Sequence, residues 1–304
     1  MIITSPAQIG ENFHVLGPKS YHIFLKDGPK PVLFDAGVHW AGNFYVEAIR
    51  SILGHRQPSV LFLTHVHWDH CGAAAFLKDA FPSMEIATSA QAVEILKRPR
   101  ALALMSTLNE ESRTSAIALG ELDSSLASEE SFRPFSVDIE LQGNSIIDLD
   151  SNTRVEIIAT PGHTRDHCSY YLPQEKILIG GEAAGLLLGS GMVTTEFVSD
   201  YDAYLSSLRR LALLPTQVFC QAHGLVLMGR EEVKAFFERS IMETVAFKDR
   251  VLELLNEEEG TLEQVVQRLK RERYDTILGP KQAEVPYLIN LTAQVNHLAR
   301  RAHS

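Results

Sequence analysis

Residues 62–72, FLTHVHWDHCG, set three histidines and an aspartate within six positions directly behind an apolar run. The run SVLFLT (59–64) reads as a buried strand. If the chain stays extended past Thr64, alternate side chains share a face, so His65, His67 and Asp69 point one way and Val66 and Trp68 the other. His70 then turns inward where a helix begins at GAAAFLKDAF (72–81). Burying such a set unpaired would cost several kcal/mol. Imidazole and carboxylate together suit zinc, iron or manganese, and no thiolate is required.

The same grammar recurs three times further along. VEIIAT (155–160) leads into PGHT with His163, KILIGG (176–181) into Glu182, and QVFCQA (217–222) into His223 and Gly224. Each apolar strand delivers one potential ligand beyond its carboxyl end, where sites of open α/β sheets gather. With the first cluster, they predict convergence on one site.

Around these segments, FHVLG, YHIFLKDG, PVLFDAG, MEIATS, NSIIDLD and CSYYLP read as strands, and NFYVEAIRSIL, AQAVEILKR and DAYLSSLRRLALL as helices. Strands alternating with helices define an α/β chain. Residues 100–133 break the alternation as a helical insertion. Everything beyond 228 is helical, which predicts a domain over 1–227 and a helical extension over 228–304. Gly260 is the expected helix stop, and Thr261 with Glu263 and Gln264 a capping-type start.

The formal charge is −10, from 28 basic and 38 acidic residues. The one basic run, RLKRER (268–273), lies in a helical pattern and reads as a solvated face, so nucleic acid is not expected as a partner. The apolar window 177–194 is broken by Glu182 and five glycines, so no membrane span is expected. The start shows no signal-peptide pattern, and Cys71, Cys168 and Cys220 form no paired framework. A cytoplasmic protein acting on a small-molecule substrate is the expectation.

From residue 10 to 227 the chain resembles the metallo-β-lactamase superfamily. HVHWDH, PGHT, an acid-bearing loop after the next strand, and AHG follow in the family's order, and FDAG (34–37) is similar to its early Asp-x-Gly turn. The resemblance implies an αββα sandwich with a metal site at one edge of the two sheets, here with the helical insertion and the helical C-terminal extension. It implies two divalent ions, zinc or iron with manganese possible. His65, His67 and His163 would hold one, Asp69, His70 and His223 the other, and Glu182 would bridge them, with Asp35 in support. The family usually carries aspartate at the bridge. The longer Glu182 leaves three outcomes open: bridging with a shifted backbone, binding one ion only, or holding the second loosely.

His167, four positions after His163, occupies a place that often supports the family's metal shell, with a purely structural role equally open. Glu196 and Phe197, in SGMVTTEFVSD (190–200), are candidate pocket residues. His39 and Trp40 either line the pocket or pack, Cys71 reads as a small core residue, and His14 and His22 receive no role.

Among branches of the superfamily, the insertion and tail look most like the PqsE and glyoxalase II-type thioesterases. That implies a hydrolase in which metal-bound hydroxide attacks a thioester or similar carboxylic ester, with Asp69 as the residue that takes the water's proton. Ester, lactone and phosphodiester substrates stay open. The alternatives are a mononuclear iron-dependent thiol or persulfide oxidoreductase on the same fold, or a metal-containing regulatory protein with little activity. The tail helices would cover the cleft and shape an acyl pocket, or form a homodimer interface.

Overall fold

The computed structural model describes residues 2–4, 6–118, 131–151, 153–257, 261–277, 281 and 284–302. The first strand, β1 (Ile2–Thr4), joins the far sheet. The near sheet then assembles in chain order from β2 (Ala7–Ile9), β3 (Phe13–Leu16), β4 (Ile23–Lys26), β5 (Val32–Phe34), β6 (Val60–Phe62), β7 (Glu85–Ser89) and β8 (Ile139–Leu141). Pairing is antiparallel as far as β5 and parallel from β5 to β8. Parallel neighbours require crossovers, supplied by α1 (Gly42–Leu53), α2 (Trp68–Cys71) with α3 (Ala74–Ala80), and α4 (Ala90–Leu96) with α5 (Pro99–Ala118).

The second sheet contains β9 (Ser145–Asp150), β10 (Thr153–Ala159), β11 (Cys168–Leu172) and β12 (Ile177–Gly181). A short ribbon, β13 (Leu186–Leu187) with β14 (Val193–Thr194), and α6 (Tyr201–Leu211) lead to β15 (Val218–Gln221) and β16 (Leu225–Met228), beside β1. The tail is α7 (Arg230–Glu257), α8 (Leu262–Arg273) and α9 (Glu284–Ala302).

Strand periodicity explains the layering. Phe24, Val32, Phe34, Val60 and Phe62 face Tyr170, Ile177, Ile179, Val218 and Cys220 between the sheets. The alternate residues Leu25, Leu33 and Leu61 turn outward onto α1 and its neighbours, and Leu178 and Phe219 turn onto α6 and the tail. Both faces of the central strands are therefore apolar, as buried parallel strands require. The result is the expected αββα sandwich. Phe62 is fully buried and stacks on Phe34, ring centroids 5.6 Å apart. Phe62→Ala is expected to destabilise the fold by about 3–5 kcal/mol, read from the denaturant midpoint. A loss below about 1 kcal/mol would contradict a rigid intersheet core.

Val233, Phe236 and Phe237 of α7 and Leu291, Val295 and Leu298 of α9 share one apolar cluster with Leu178 and Phe219 of the second sheet. The insertion is one long helix, α5, followed by an irregular segment over residues 131–138; residues 119–130 lie outside the described residues. Thr261 does occupy the N-cap of α8, but without a side-chain capping hydrogen bond, and Gly260 lies outside the described residues. Arg268, Lys270 and Arg273 of the basic run pair with Glu272, Asp275 and Glu243. Among the described residues, no helix is long and apolar enough to cross a membrane.

Candidate metal centre

The opening motif departs from the extended reading. β6 ends at Phe62, the chain remains extended at His67 (φ −73°, ψ 153°), and α2 begins at Trp68. His65 and His67 thus alternate along extended backbone, whereas Asp69 and His70 arrive on a helical turn closed by His70 N–H and Cys71 N–H donating to His67 O. Packing imposes the turn. A Cβ on Gly72 would lie 2.5 Å from Trp68 O, 2.8 Å from Asn109 Oδ1 and 2.9 Å from Gly37 O, so the loop sits flush against its surroundings. Asn109 of α5 donates to Trp68 O at 3.2 Å, which ties the insertion to the motif.

Two carboxylates from different sheets hold this loop by alternate backbone amides. Asp35, at φ 59° after β5, accepts from Thr64 N–H at 2.7 Å, and its other oxygen faces His70 Nδ1 at 2.8 Å. Asp166, beyond β10, accepts from Val66 N–H at 2.9 Å. The role of Asp166 was not anticipated; its only signal is an acid inside HTRDH.

His163 stands behind a glycine that nothing else can replace. Gly162 has φ +135°, and a Cβ there would lie 2.2 Å from Tyr204 Cα. Gly162→Ala should cost about 1–3 kcal/mol in backbone strain alone, besides displacing His163. Denaturant titration and metal content check this, and unchanged values in both would refute it.

His163 Nδ1–H donates to Glu196 O at 2.5 Å. The dipeptide Thr195–Glu196 is pinned from several elements: Thr195 Oγ1 meets Thr244 of α7 at 2.9 Å, Thr195 O accepts from Gln294 of α9 at 2.9 Å, and Glu196 N–H donates to Tyr204 of α6 at 3.2 Å. The helical tail therefore orients His163 through two residues. Gln294→Met keeps the volume but removes the donor, leaving Thr195 O short of a partner at a cost of about 1–3 kcal/mol. Retention of divalent metal against a chelator is expected to fall about tenfold, within the range for supporting groups; unaltered retention would refute the link.

On the opposite wall, His223 Nδ1–H donates to Ser20 O at 2.7 Å, and its Nε2 lies 3.4 Å from Asp69 and 3.3 Å from Glu182. Glu182, just past β12, turns Oε1 to His70 Nε2 at 2.8 Å and Oε2 to His65 Nδ1 at 3.8 Å.

Two groups of potential ligands result: His65, His67 and His163, and Asp69, His70, Glu182 and His223. Within each, one ligand atom per residue lies within 4.8 Å of the others. His65 Nε2 and Glu182 Oε2 are buried without hydrogen-bond partners, which is how a donor set built for a cation should look. Burial holds His65 well below the ordinary imidazole range and His163 at about 4, so both are neutral and fit to ligate. Burial opposes charge on Glu182 and Asp69 too, but His70 and His223 outweigh it and both remain carboxylates. His223 in turn rises to about 10 and His70 well above its usual range, since carboxylates face both against the pull of burial. The carboxylates thus demand positive charge at the centre. A divalent cation would compete for it with the imidazole protons.

Neighbouring residues divide more plainly. Phe197 is fully buried against Tyr201, Tyr204 and Phe247, so it packs rather than lining a pocket. Glu196 is half-buried, and burial raises its carboxyl to about 7. His39 and Trp40 are buried and bond to Asn109 and Ser112 of α5. Cys71 is wholly buried, which pushes its thiol well up. His22 bonds to Gln221 O behind His223. Asp69 and His223 keep 13% and 25% of their side chains exposed, which marks the open side of the centre.

Residues 20–223 match the model of the metallo-beta-lactamase superfamily, and the chain belongs to that family. It is 30% identical over 209 residues to the metallo-beta-lactamase fold-containing protein ST1585 of Sulfurisphaera tokodaii, covering 68% of this chain and 74% of that one. The crystal structure of ST1585 superposes with a TM-score of 0.56 over 95% of this chain and 97% of its own, at 21% identity. Hydroxyacylglutathione hydrolase of Mesorhizobium japonicum is 25% identical over 214 residues, 69% of this chain and 62% of its own length. Atrochrysone carboxyl ACP thioesterase of Aspergillus fumigatus is 24% identical over 226 residues, 73% of this chain and 53% of its own. The chain thus spans less than two thirds of the length of these two hydrolases.

Proposed function

We propose that the chain is a dinuclear metal-dependent hydrolase of thioesters or similar carboxylic esters. His65, His67 and His163 would hold one ion, Asp69, His70 and His223 the other, and Glu182 faces both groups. The observation that carries this reading is the placement of Glu182: one oxygen faces His70 and His223 while the other faces His65, so a single carboxylate addresses both ligand groups. Divalent ions at such a centre supply a water acidified toward neutrality and an electrophile for the carbonyl oxygen.

The chain's own residues supply the rest. Asp69, ionised and partly exposed, would accept the proton of the attacking water, and its contact with His223 orients it. Asp35 and Asp166 keep the loop rigid enough to hold that geometry. A thiolate is a good leaving group, so no strong acid is required on the departing side. The names of the two hydrolase relatives support acyl transfer to water as the reaction class. A panel of acyl thioesters, lactones and phosphodiesters, run with and without chelator, tests the reading. Preferential, chelator-sensitive thioester cleavage is expected; phosphodiester cleavage alone would overturn it.

A further inference from the structure

Gln221, the last residue of β15, is 1% exposed, and its side chain bonds outside the second sheet. Leu187 N–H, of β13, lies 2.9 Å from Gln221 Oε1, Leu187 O lies 3.0 Å from Nε2, and His223 O lies 2.6 Å from the same nitrogen. An N–H can only donate and a carbonyl can only accept, so the amide has one orientation. Oε1 accepts from Leu187, and the two Nε2 protons go to Leu187 O and His223 O. The side chain thus meets both backbone groups of Leu187 as a neighbouring strand would. The backbone carbonyl of Gln221 accepts from His22 Nε2–H at 3.1 Å, two residues beyond the Ser20 O that aims His223.

The far end of this arrangement is His163. β13 and β14 form a sheet of their own, with Leu187 opposite Val193 and Leu186 opposite Thr194. The ribbon closes tightly, since a Cβ on Gly185 would lie 2.2 Å from Thr194 O. Thr194 Oγ1 donates to Glu196 Oε1 at 2.6 Å, and Glu196 O takes the Nδ1–H of His163. One buried amide therefore stands between the segment that aims His163 and the loop that carries His223. Such an amide is costly to leave unpaired, so ribbon and loop keep a fixed relation.

We propose that Gln221 is a positioning residue that couples His163 to His223 and so sets the spacing of the two ligand groups. The inference rests on the reading of the centre as a metal site. Gln221 acts through the Leu187 backbone and the His223 carbonyl, with no part in holding an ion. Releasing the ribbon moves Glu196 O and turns His163, and the bond lost at His223 O loosens His223 at the same time. A role confined to finishing β15 would affect His223 alone.

Solvent exchange of the imidazole Nδ1–H protons tests this, followed by nuclear magnetic resonance in the full chain loaded with zinc as a diamagnetic probe ion. Gln221→Met removes all three amide bonds at nearly constant volume. Gln221→Glu keeps the acceptor for Leu187 N–H and removes both donors. In either folded variant the Nδ1–H protons of His163 and His223 should both exchange about tenfold faster than in the parent. Faster exchange at His223 alone, or at neither, overturns the coupling. A coupling free energy is reciprocal, so Gln294→Met, which disturbs the Thr195–Glu196 segment from α9, should quicken His223 as well as His163. An effect confined to His163 overturns the proposal even where neither Gln221 variant folds. Divalent-metal content of the parent, measured on the same samples, tests the metal reading separately. A parent that takes up no divalent ion overturns that reading, and the exchange rates still decide the coupling.

Discussion

Removing divalent ions with a chelator is expected to lower thioester hydrolysis by at least about a thousandfold, with activity returning on addition of zinc, iron or manganese. The size follows from what the side chains achieve alone. Asp69 can accept a proton, but bulk water has a pKa of about 15.7 against about 7 for water on zinc. Loss of several kcal/mol of charge stabilisation at the carbonyl adds to that deficit, each 1.36 kcal/mol being about tenfold in rate. His70 and His223 carry protons there, but Asp35, Asp69 and Glu182 hold that charge, and His65 and His163 are held neutral by burial. Initial rates on an acyl thioester, with metal content measured on the same samples, provide the check. Turnover indifferent to the chelator would defeat the mechanism.

Glu182→Ala and His223→Ala are expected to reduce the metal content from two ions per chain to one, with activity lower by about a hundredfold or more. Glu182 faces both ligand groups, so its loss removes the carboxylate they share and one partner of His70. His223 belongs to one group only, and its Nδ1 bond to Ser20 O turns Nε2 toward Asp69 and Glu182. Elemental analysis of protein purified without added metal distinguishes the outcomes. A single ion present in the parent and unaffected by both substitutions would sink the dinuclear model while leaving a mononuclear hydrolase possible.

Much of this was legible in the chain itself. Apolar runs with period two announce strands apolar on both faces, and each potential ligand follows such a run directly. His65, His67, His163, Glu182 and His223 could therefore be singled out, and they gather at one end of the sheets. Density also marks Asp69 and His70, but Asp69 does not share the extended face of His65 and His67. Extended backbone cannot present four neighbouring ligands to one centre, and the helical turn at Trp68 solves that problem. The apolar character of Phe197 was plain, yet nothing local distinguishes a pocket wall from a packed core.

What stayed hidden is instructive. His163 and His223 are aimed by Glu196 O and Ser20 O, and backbone carbonyls carry no residue signature. Asp166 reaches a loop 100 residues earlier, and Gln294 the segment just after β14, 99 residues earlier. By itself, then, the sequence determined the α/β layering and the identities of the potential ligands, because periodicity and side-chain chemistry are local properties. Only the tertiary structure decided which polar atoms face one another and how far the tail reaches into the site. Those depend on hydrogen bonds between segments brought together only when both sheets are packed.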